Sequence, residues 1–156
     1  MRSVIYTDTE ESITKVVTQQ FEFAKKILSY NLIPIVEPEV DINLKEKDHA
    51  EEILKKYILE ELNTLKEDEI IMLKLTIPTT NNRYSDLIAH KNVLRVVALS
   101  GGYTINLANE KLSKNHGLIA SFSRALVEGL SSSQSKEDFD KILNNNIQSI
   151  YDASIK

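Results

Sequence analysis

An α/β fold, with a parallel sheet built from repeated βα units, is what the order of apolar patterns in this chain predicts. Short apolar runs alternate with segments of helical period from one end to the other. No low-complexity stretch and no Pro- and Gly-rich linker interrupts them, so residues 1–156 are expected to form one domain. The apolar runs also deliver polar residues at or near their C-terminal ends. In parallel α/β folds that is the edge where the βα loops gather and chemistry sits.

The first run is the stub Val4-Ile5-Tyr6. A helix is predicted from about Thr9 to Ser29, because Ile13, Val16, Val17, Phe21, Ala24, Ile27 and Leu28 recur at spacings of three and four. Leu32 to Val36 is the next strand, ending in Glu37-Pro38-Glu39, and its Pro34 is tolerated near a strand's start. A second amphipathic helix is predicted from about Lys45 to Leu65 through Ala50, Ile53, Leu54, Tyr57, Ile58, Leu62 and Leu65. The run Ile70 to Ile77 follows, then a polar loop, a short helix and the strand Val93 to Leu99. Ser100-Gly101-Gly102 and another short helix lead to a last strand, Gly117 to Phe122, closed by Ser123-Arg124. Two closing helices are expected. The final one opens with Ser135 three residues before Asp138, in the manner of a capping box, and should bury Phe139, Ile142, Leu143, Ile147 and Ile150.

A hydrophobic share of 42% beside 27% charged residues places the chain among globular proteins. The formal charge of −4 is spread over mixed signs, leaving no basic stripe for a nucleic-acid backbone. The chain has no cysteine, which removes disulfides, thiolate zinc sites and thiol nucleophiles and agrees with a reducing cytoplasm. Met1-Arg2-Ser3-Val4-Ile5-Tyr6 is too soon polar for a signal peptide, and no run nears the roughly 18 apolar residues of a membrane span. A cytoplasmic location is the expectation. His49, His90 and His116 lie far apart among polar residues, so they read as surface histidines and no metal site is predicted.

Lys74 is the residue with the most chemistry. It stands in the middle of Ile70-Ile71-Met72-Leu73-Lys74-Leu75-Thr76-Ile77, a run apolar enough to be buried. Burying an ammonium costs several kcal/mol or drives the group toward the neutral amine, a nucleophile able to form a Schiff base with a carbonyl. An edge-strand lysine snorkelling to solvent is the plainer alternative. Glu37 and Glu39 are two apart, so on a regular strand they share one side of the sheet, where a carboxylate pair could move protons for a lysine. Otherwise Glu-Pro-Glu is a solvated loop entry. Ser100-Gly101-Gly102, after a strand and before a helix, offers backbone N–H groups to an anion, or is simply a turn. Arg124, just past the next strand, could supply a guanidinium fork to the same phosphate.

Four segments, Val36-Glu37-Pro38-Glu39, Met72-Leu73-Lys74, Leu99-Ser100-Gly101-Gly102-Tyr103 and Ala120-Ser121-Phe122-Ser123-Arg124-Ala125-Leu126, together resemble the C-terminal half of a class I fructose-bisphosphate aldolase of the bacterial branch. The resemblance covers essentially the whole chain and implies half of a (β/α)8 TIM barrel. Arg2 would lie on the remnant of the fourth strand, with strands five to eight following. It further implies that Lys74 is the Schiff-base lysine, Glu37 the acid/base and Glu39 the second carboxylate supporting the lysine. Ser100, Gly101, Gly102, Ser121 and Arg124 would hold a phosphate, and Arg2 would help hold the sugar phosphate. No cofactor or metal is implied, since the iminium serves as the electron sink.

The resemblance has departures. Animal relatives read Ser-Tyr-Gly-Arg where this chain has Ser121-Phe122-Ser123-Arg124, and Tyr151 lacks the motif of the animal C-terminal tail. In the family a lysine precedes the Met-Arg pair, and a first-strand aspartate serves carbon–carbon cleavage; neither is in this chain. The expectation is a fragment with two open sheet edges, inactive alone. The alternatives are a non-catalytic phosphate-binding half-barrel that pairs with itself or with a separate N-terminal half, and a different Schiff-base aldolase, such as a deoxyribose-phosphate aldolase or a transaldolase.

Overall fold

The computed structural model describes residues 2–156. Five strands, β1 (Arg2–Ile5), β2 (Ile35–Val40), β3 (Ile71–Thr76), β4 (Val93–Leu99) and β5 (Ile119–Ala120), form one parallel sheet in chain order. Helices α1 (Glu10–Leu28), α2 (Lys47–Leu62), α3 (Ser85–Ile88) and α4 (Ile105–Leu112) connect successive strands, and α5 (Lys136–Ser154) closes the chain. Sequential parallel neighbours joined by helices are the βα repeat that the patterning predicts.

Side chains alternate across the sheet and divide it into a packed face and a polar one. Ile71, Leu73 and Leu75 of β3 are fully buried in one continuous apolar core that also holds Val17 and Phe21 of α1 and Leu54, Ile58 and Leu62 of α2. Each such side chain contributes about 1.5–3 kcal/mol by leaving water. The intervening residues of β3, Met72, Lys74 and Thr76, take the opposite face. The register sets them in rows, Lys74 level with Val97 and Ile119, and Thr76 level with Leu99.

Several boundaries differ from expectation. β1 begins at Arg2 and ends before Tyr6, which is exposed. β2 starts at Ile35 rather than Leu32 and runs through Glu-Pro-Glu to Val40. Pro38 interrupts only one of the two ladders, since its missing N–H would face β3 while the pairing with β1 continues through it. The Pro34 carbonyl bonds β3 and the Asp41 N–H bonds β1, so even-numbered residues of β2 face β3 and odd ones face β1. The ladder to β3 lapses after Val36, where Pro38 has no donor, and the Thr76 hydroxyl restores a link by donating to the Val40 carbonyl at 2.7 Å.

The first of the two closing helices does not form. Residues 124–129 are hydrogen-bonded turns that end at Gly129 (φ +79°), and Asn146 Nδ2 takes the carbonyls of Leu126 and Glu128 at 2.9 Å each. The Ser135 cap on α5 is present, its hydroxyl accepting the Asp138 N–H. The apolar face of α5 is only partly covered, against expectation. Ile150 packs on the core and Ala153 is buried, but Ile147 and Phe139 are exposed, because α5 is covered on one side only, by α4, β5 and the turns before it.

Candidate functional site

The C-terminal edge of the sheet forms one cavity of about 390 Å³ that collects the residues singled out by the sequence. Arg2, Glu37, Glu39, Lys74, Ser100, Gly101, Ser121 and Arg124 all line it, together with Leu99 and Ser123. Gly102 adjoins it: a Cβ built there would stand 3.7 Å from Arg124 Nη1. Segments far apart in the sequence meet because they lie on, or just past the ends of, neighbouring parallel strands: Arg2, Glu37, Glu39 and Lys74 within β1, β2 and β3, and the serines, glycines and Arg124 just beyond β4 and β5.

Two ion pairs organise the cavity. Lys74 Nζ lies 3.0 Å from Glu37 Oε1, and Arg2 Nε donates to Glu39 Oε2 at 2.7 Å. The bond from Glu39, with its charge, raises the Arg2 pKa above its ordinary value. Lys74 is not the fully buried amine that its apolar run predicts. Its side chain keeps 26% of its exposure, because β3 turns that residue onto the polar face beside Glu37.

Arg124 forms no ion pair among the described residues, and the hydroxyls of Ser100, Ser121 and Ser123 make no hydrogen bond there. Three cations against two carboxylates leave the cavity with a net positive charge, which suits an anion.

The glycine loop is shaped by close packing. Gly101 (φ +65°) and Gly102 (φ +120°) adopt backbone conformations that side chains resist, and a Cβ on Gly101 would fall 2.5 Å from Ile42 Cγ2. The amide N–H groups of both glycines have no partner among the described residues. The start of α4 is different. The Ile105 N–H donates to Glu128 Oε2 at 2.8 Å, so that helix terminus already holds a carboxylate, whereas the two glycine amides remain available.

Sequence reading missed a polar cluster behind the site. Lys47 Nζ pairs with Glu51 and donates to the Ile77 carbonyl at 2.9 Å and to Thr79 Oγ1 at 3.1 Å. Glu51 Oε2 accepts the Thr79 N–H at 2.9 Å, and Arg83 pairs with Asp48 and Glu52. Burial lowers the Lys47 pKa, while Glu51 opposes the shift. The i, i+4 spacing of Lys47 and Glu51 was the available signal. Ile42 gave none. His49 is exposed beside Asp8, and among the described residues no three His, Asp or Glu side chains gather as metal ligands. No helix among them is long and apolar enough to cross a membrane.

Comparison with known proteins adds sequence kinship to this geometry. The chain is 55% identical over all 156 of its residues to the class 1 fructose-bisphosphate aldolase of Porphyromonas gingivalis, covering 53% of that protein. It is 53% identical over 155 residues to the class 1 fructose-bisphosphate aldolase of Synechocystis sp., covering 52% of it. The chain is related along its whole length to the class 1 fructose-bisphosphate aldolases. It spans about half the length of these curated relatives, consistent with their C-terminal half. No protein-family model matches the chain. The fold agrees with the kinship: a solved fructose-bisphosphate aldolase from Plasmodium falciparum superposes with a TM-score of 0.71 at 21% identity, over the whole of this chain and 57% of that one. Five parallel strands matching a little over half of an aldolase TIM barrel are a half-barrel.

Proposed function

We propose that this chain carries the Schiff-base half of a class I fructose-bisphosphate aldolase site, acting on a phosphorylated sugar in the cytoplasm as one half-barrel domain. The observation that supports this best is Lys74 Nζ, projecting from within β3, held 3.0 Å from Glu37 on the wall of a cavity that also presents Arg124 and the unpaired amides of Gly101 and Gly102. Glu37 is placed to take a proton from the Lys74 ammonium, freeing the amine to add to the ketone of fructose 1,6-bisphosphate. The same carboxyl group then protonates the carbinolamine hydroxyl, so that water leaves and an iminium remains. That cation accepts the electron pair of the bond between the third and fourth carbons. Glyceraldehyde 3-phosphate departs, and the dihydroxyacetone phosphate enamine is protonated and hydrolysed, returning free Lys74. Glu39, anchored by Arg2, supplies the second carboxylate beside the lysine. Ser100, Gly101, Gly102, Ser121 and Arg124 hold phosphate, and Arg2 helps hold the sugar phosphate. As that bond breaks, the proton of the hydroxyl on the fourth carbon passes to a base; a half-barrel spanning about half the length of its relatives is expected to form the imine more readily than it turns over substrate.

Borohydride trapping with dihydroxyacetone phosphate, followed by peptide mass spectrometry, tests this reading. The expected result is one adduct on Lys74, lost in Lys74→Arg and formed at least about a hundredfold more slowly in Glu37→Gln, within the usual contribution of acid–base catalysis. A folded chain that gives no adduct, or an adduct at a different lysine, rejects the proposal. A non-catalytic, phosphate-binding half-barrel that pairs with itself or with an N-terminal half is the second reading. It is favoured by the uncovered face of α5 and by β1 and β5, each of which has a neighbouring strand on one side only among the described residues. Phosphate binding without an adduct would select it. A substrate panel separates fructose 1,6-bisphosphate from the substrates of deoxyribose-phosphate aldolases and transaldolases.

A further inference from the structure

Helix α1 buries five side chains, Ile13, Val17, Gln20, Phe21 and Ala24, and one of these is polar. Gln20 has no solvent exposure. Its Oε1 accepts the backbone N–H of Glu37 at 2.7 Å, while its Nε2 is buried with no hydrogen-bond partner. A buried donor left without a partner is destabilising, so as a packing residue glutamine is inferior here to leucine or methionine. What glutamine supplies and those residues cannot is an acceptor for one particular donor.

That donor belongs to the residue whose side chain meets Lys74. Odd-numbered residues of β2 direct their N–H groups to the β1 side, and at Glu37 it is the Gln20 side chain that accepts. Fixing this amide fixes the Glu37 Cα, and with it the origin of the side chain that reaches Lys74 Nζ at 3.0 Å. A separation this short leaves little tolerance, since a displacement of about 1 Å at a reacting group can cost two orders of magnitude in rate. We infer that Gln20 is a positioning residue, binding the backbone of Glu37 so that its carboxylate stays on Lys74. The link runs from the packed face of α1 through the plane of the sheet to the cavity. This inference rests on the role proposed for Glu37, but its geometry can be measured without any turnover.

The test compares the intact chain with Gln20→Met, which keeps the volume and removes the acceptor, and Gln20→Glu, which keeps the acceptor. Amide hydrogen exchange and the carboxyl-carbon resonance of Glu37 are read by NMR. In Q20M the Glu37 amide should exchange about tenfold faster, the equivalent of one lost hydrogen bond. The Glu37 carboxyl resonance should move toward that of a solvated glutamate, while the amides of Val17, Phe21 and Leu73 keep their protection. In Q20E the Glu37 amide should stay protected. An unchanged Glu37 amide or carboxyl resonance in Q20M overturns the inference, as does a uniform loss of protection along α1 and β2, which would make Gln20 a packing residue only. Borohydride trapping on the same samples keeps the two questions apart. Absence of an adduct in the unsubstituted chain counts against the proposed reaction, whereas the exchange pattern decides the role of Gln20.

Discussion

Tyr84 shows at the scale of one residue how this fold treats polar atoms. Its side chain is among the largest fully buried ones, and its hydroxyl has no hydrogen-bond partner. Burial, reinforced by the nearby Glu51 carboxylate, raises its pKa well above the ordinary tyrosine value of 10.0. In the folded chain the phenol therefore keeps its proton where an unfolded tyrosine would release it. The stability tied to that proton is whole below pH 10.0 and is lost as pH rises beyond it toward the folded-state value. Tyr84→Phe removes the orphaned hydroxyl and leaves the ring. It should raise stability at neutral pH by about 1 kcal/mol, as measured by urea denaturation, because an unsatisfied buried donor is relieved. The advantage over the unsubstituted chain should widen above pH 10, since phenylalanine has no proton to lose. A loss of stability in Y84F would mean that the hydroxyl has a partner.

Among the elements, the first turns of α2 do more than cover the sheet. Lys47 and Glu51 grip Ile77 and Thr79, while Asp48 holds Thr80 and Arg83, so one helix end fixes the loop that leaves the lysine strand. Both side chains of the central pair are almost wholly buried. Removing one partner of a buried pair strands the other charge, so Lys47→Met should cost about 3–5 kcal/mol, with Lys47→Met/Glu51→Leu recovering much of that loss. Urea denaturation of the two variants measures it, and a cost below 1 kcal/mol for K47M would show that the loop is held by other contacts. This pair also marks the limit of what the sequence discloses. The βα order, the β4 limits and most residues lining the cavity were legible, because apolar period and strand-end polarity record them directly; Arg2, at the start of β1, came only with the family resemblance. The fully buried lysine was not, because Lys45-Glu46-Lys47-Asp48 looks like a solvated helix start and burial there comes from a loop some thirty residues further on. Gln20 did carry a sign, a polar side chain on the apolar face of α1. The continuation of β2 through Pro38 had none, as it depends on which neighbouring strand each N–H would have faced. The closing helix ahead of α5 failed for a related reason: Asn146, from a later element, takes the carbonyls on which its turns end.

For the molecule as a whole, the decisive property is the apolar surface that its own elements leave uncovered. Beside β5, a cavity of about 510 Å³ is lined by Ile119, Phe122, Leu126, Ile147, Ile150, Tyr151 and Ile155, and Tyr151 of α5 and Ile155 just past it are among the most exposed large hydrophobics. β1 and β5 end the sheet as edge strands, and a short parallel edge beside an apolar helix face invites another strand and helix to dock. In a closed barrel no strand lacks a neighbour on either side. A solution of this chain alone has one source of such surfaces, another copy, and the β5 side of one copy meeting the β1 side of the next keeps all strands parallel. We therefore expect reversible self-association that grows with concentration by mass action, visible as a rising weight-average sedimentation coefficient. Ile147→Lys places a charge in the middle of the uncovered face, where burial would cost it several kcal/mol, and should shift the equilibrium toward monomer. Since Ile147 is already half exposed, the fold of the monomer should be undisturbed, as circular dichroism would show. Glu11→Gln, the same change of one positive unit in net charge, made on the solvent side of α1, should leave association nearly unaltered, which separates a specific apolar contact from a general effect of net charge. A chain that sediments as one monomer at every concentration would mean that the edges and the α5 face are protected as they stand, and the pairing half-barrel would have to be given up.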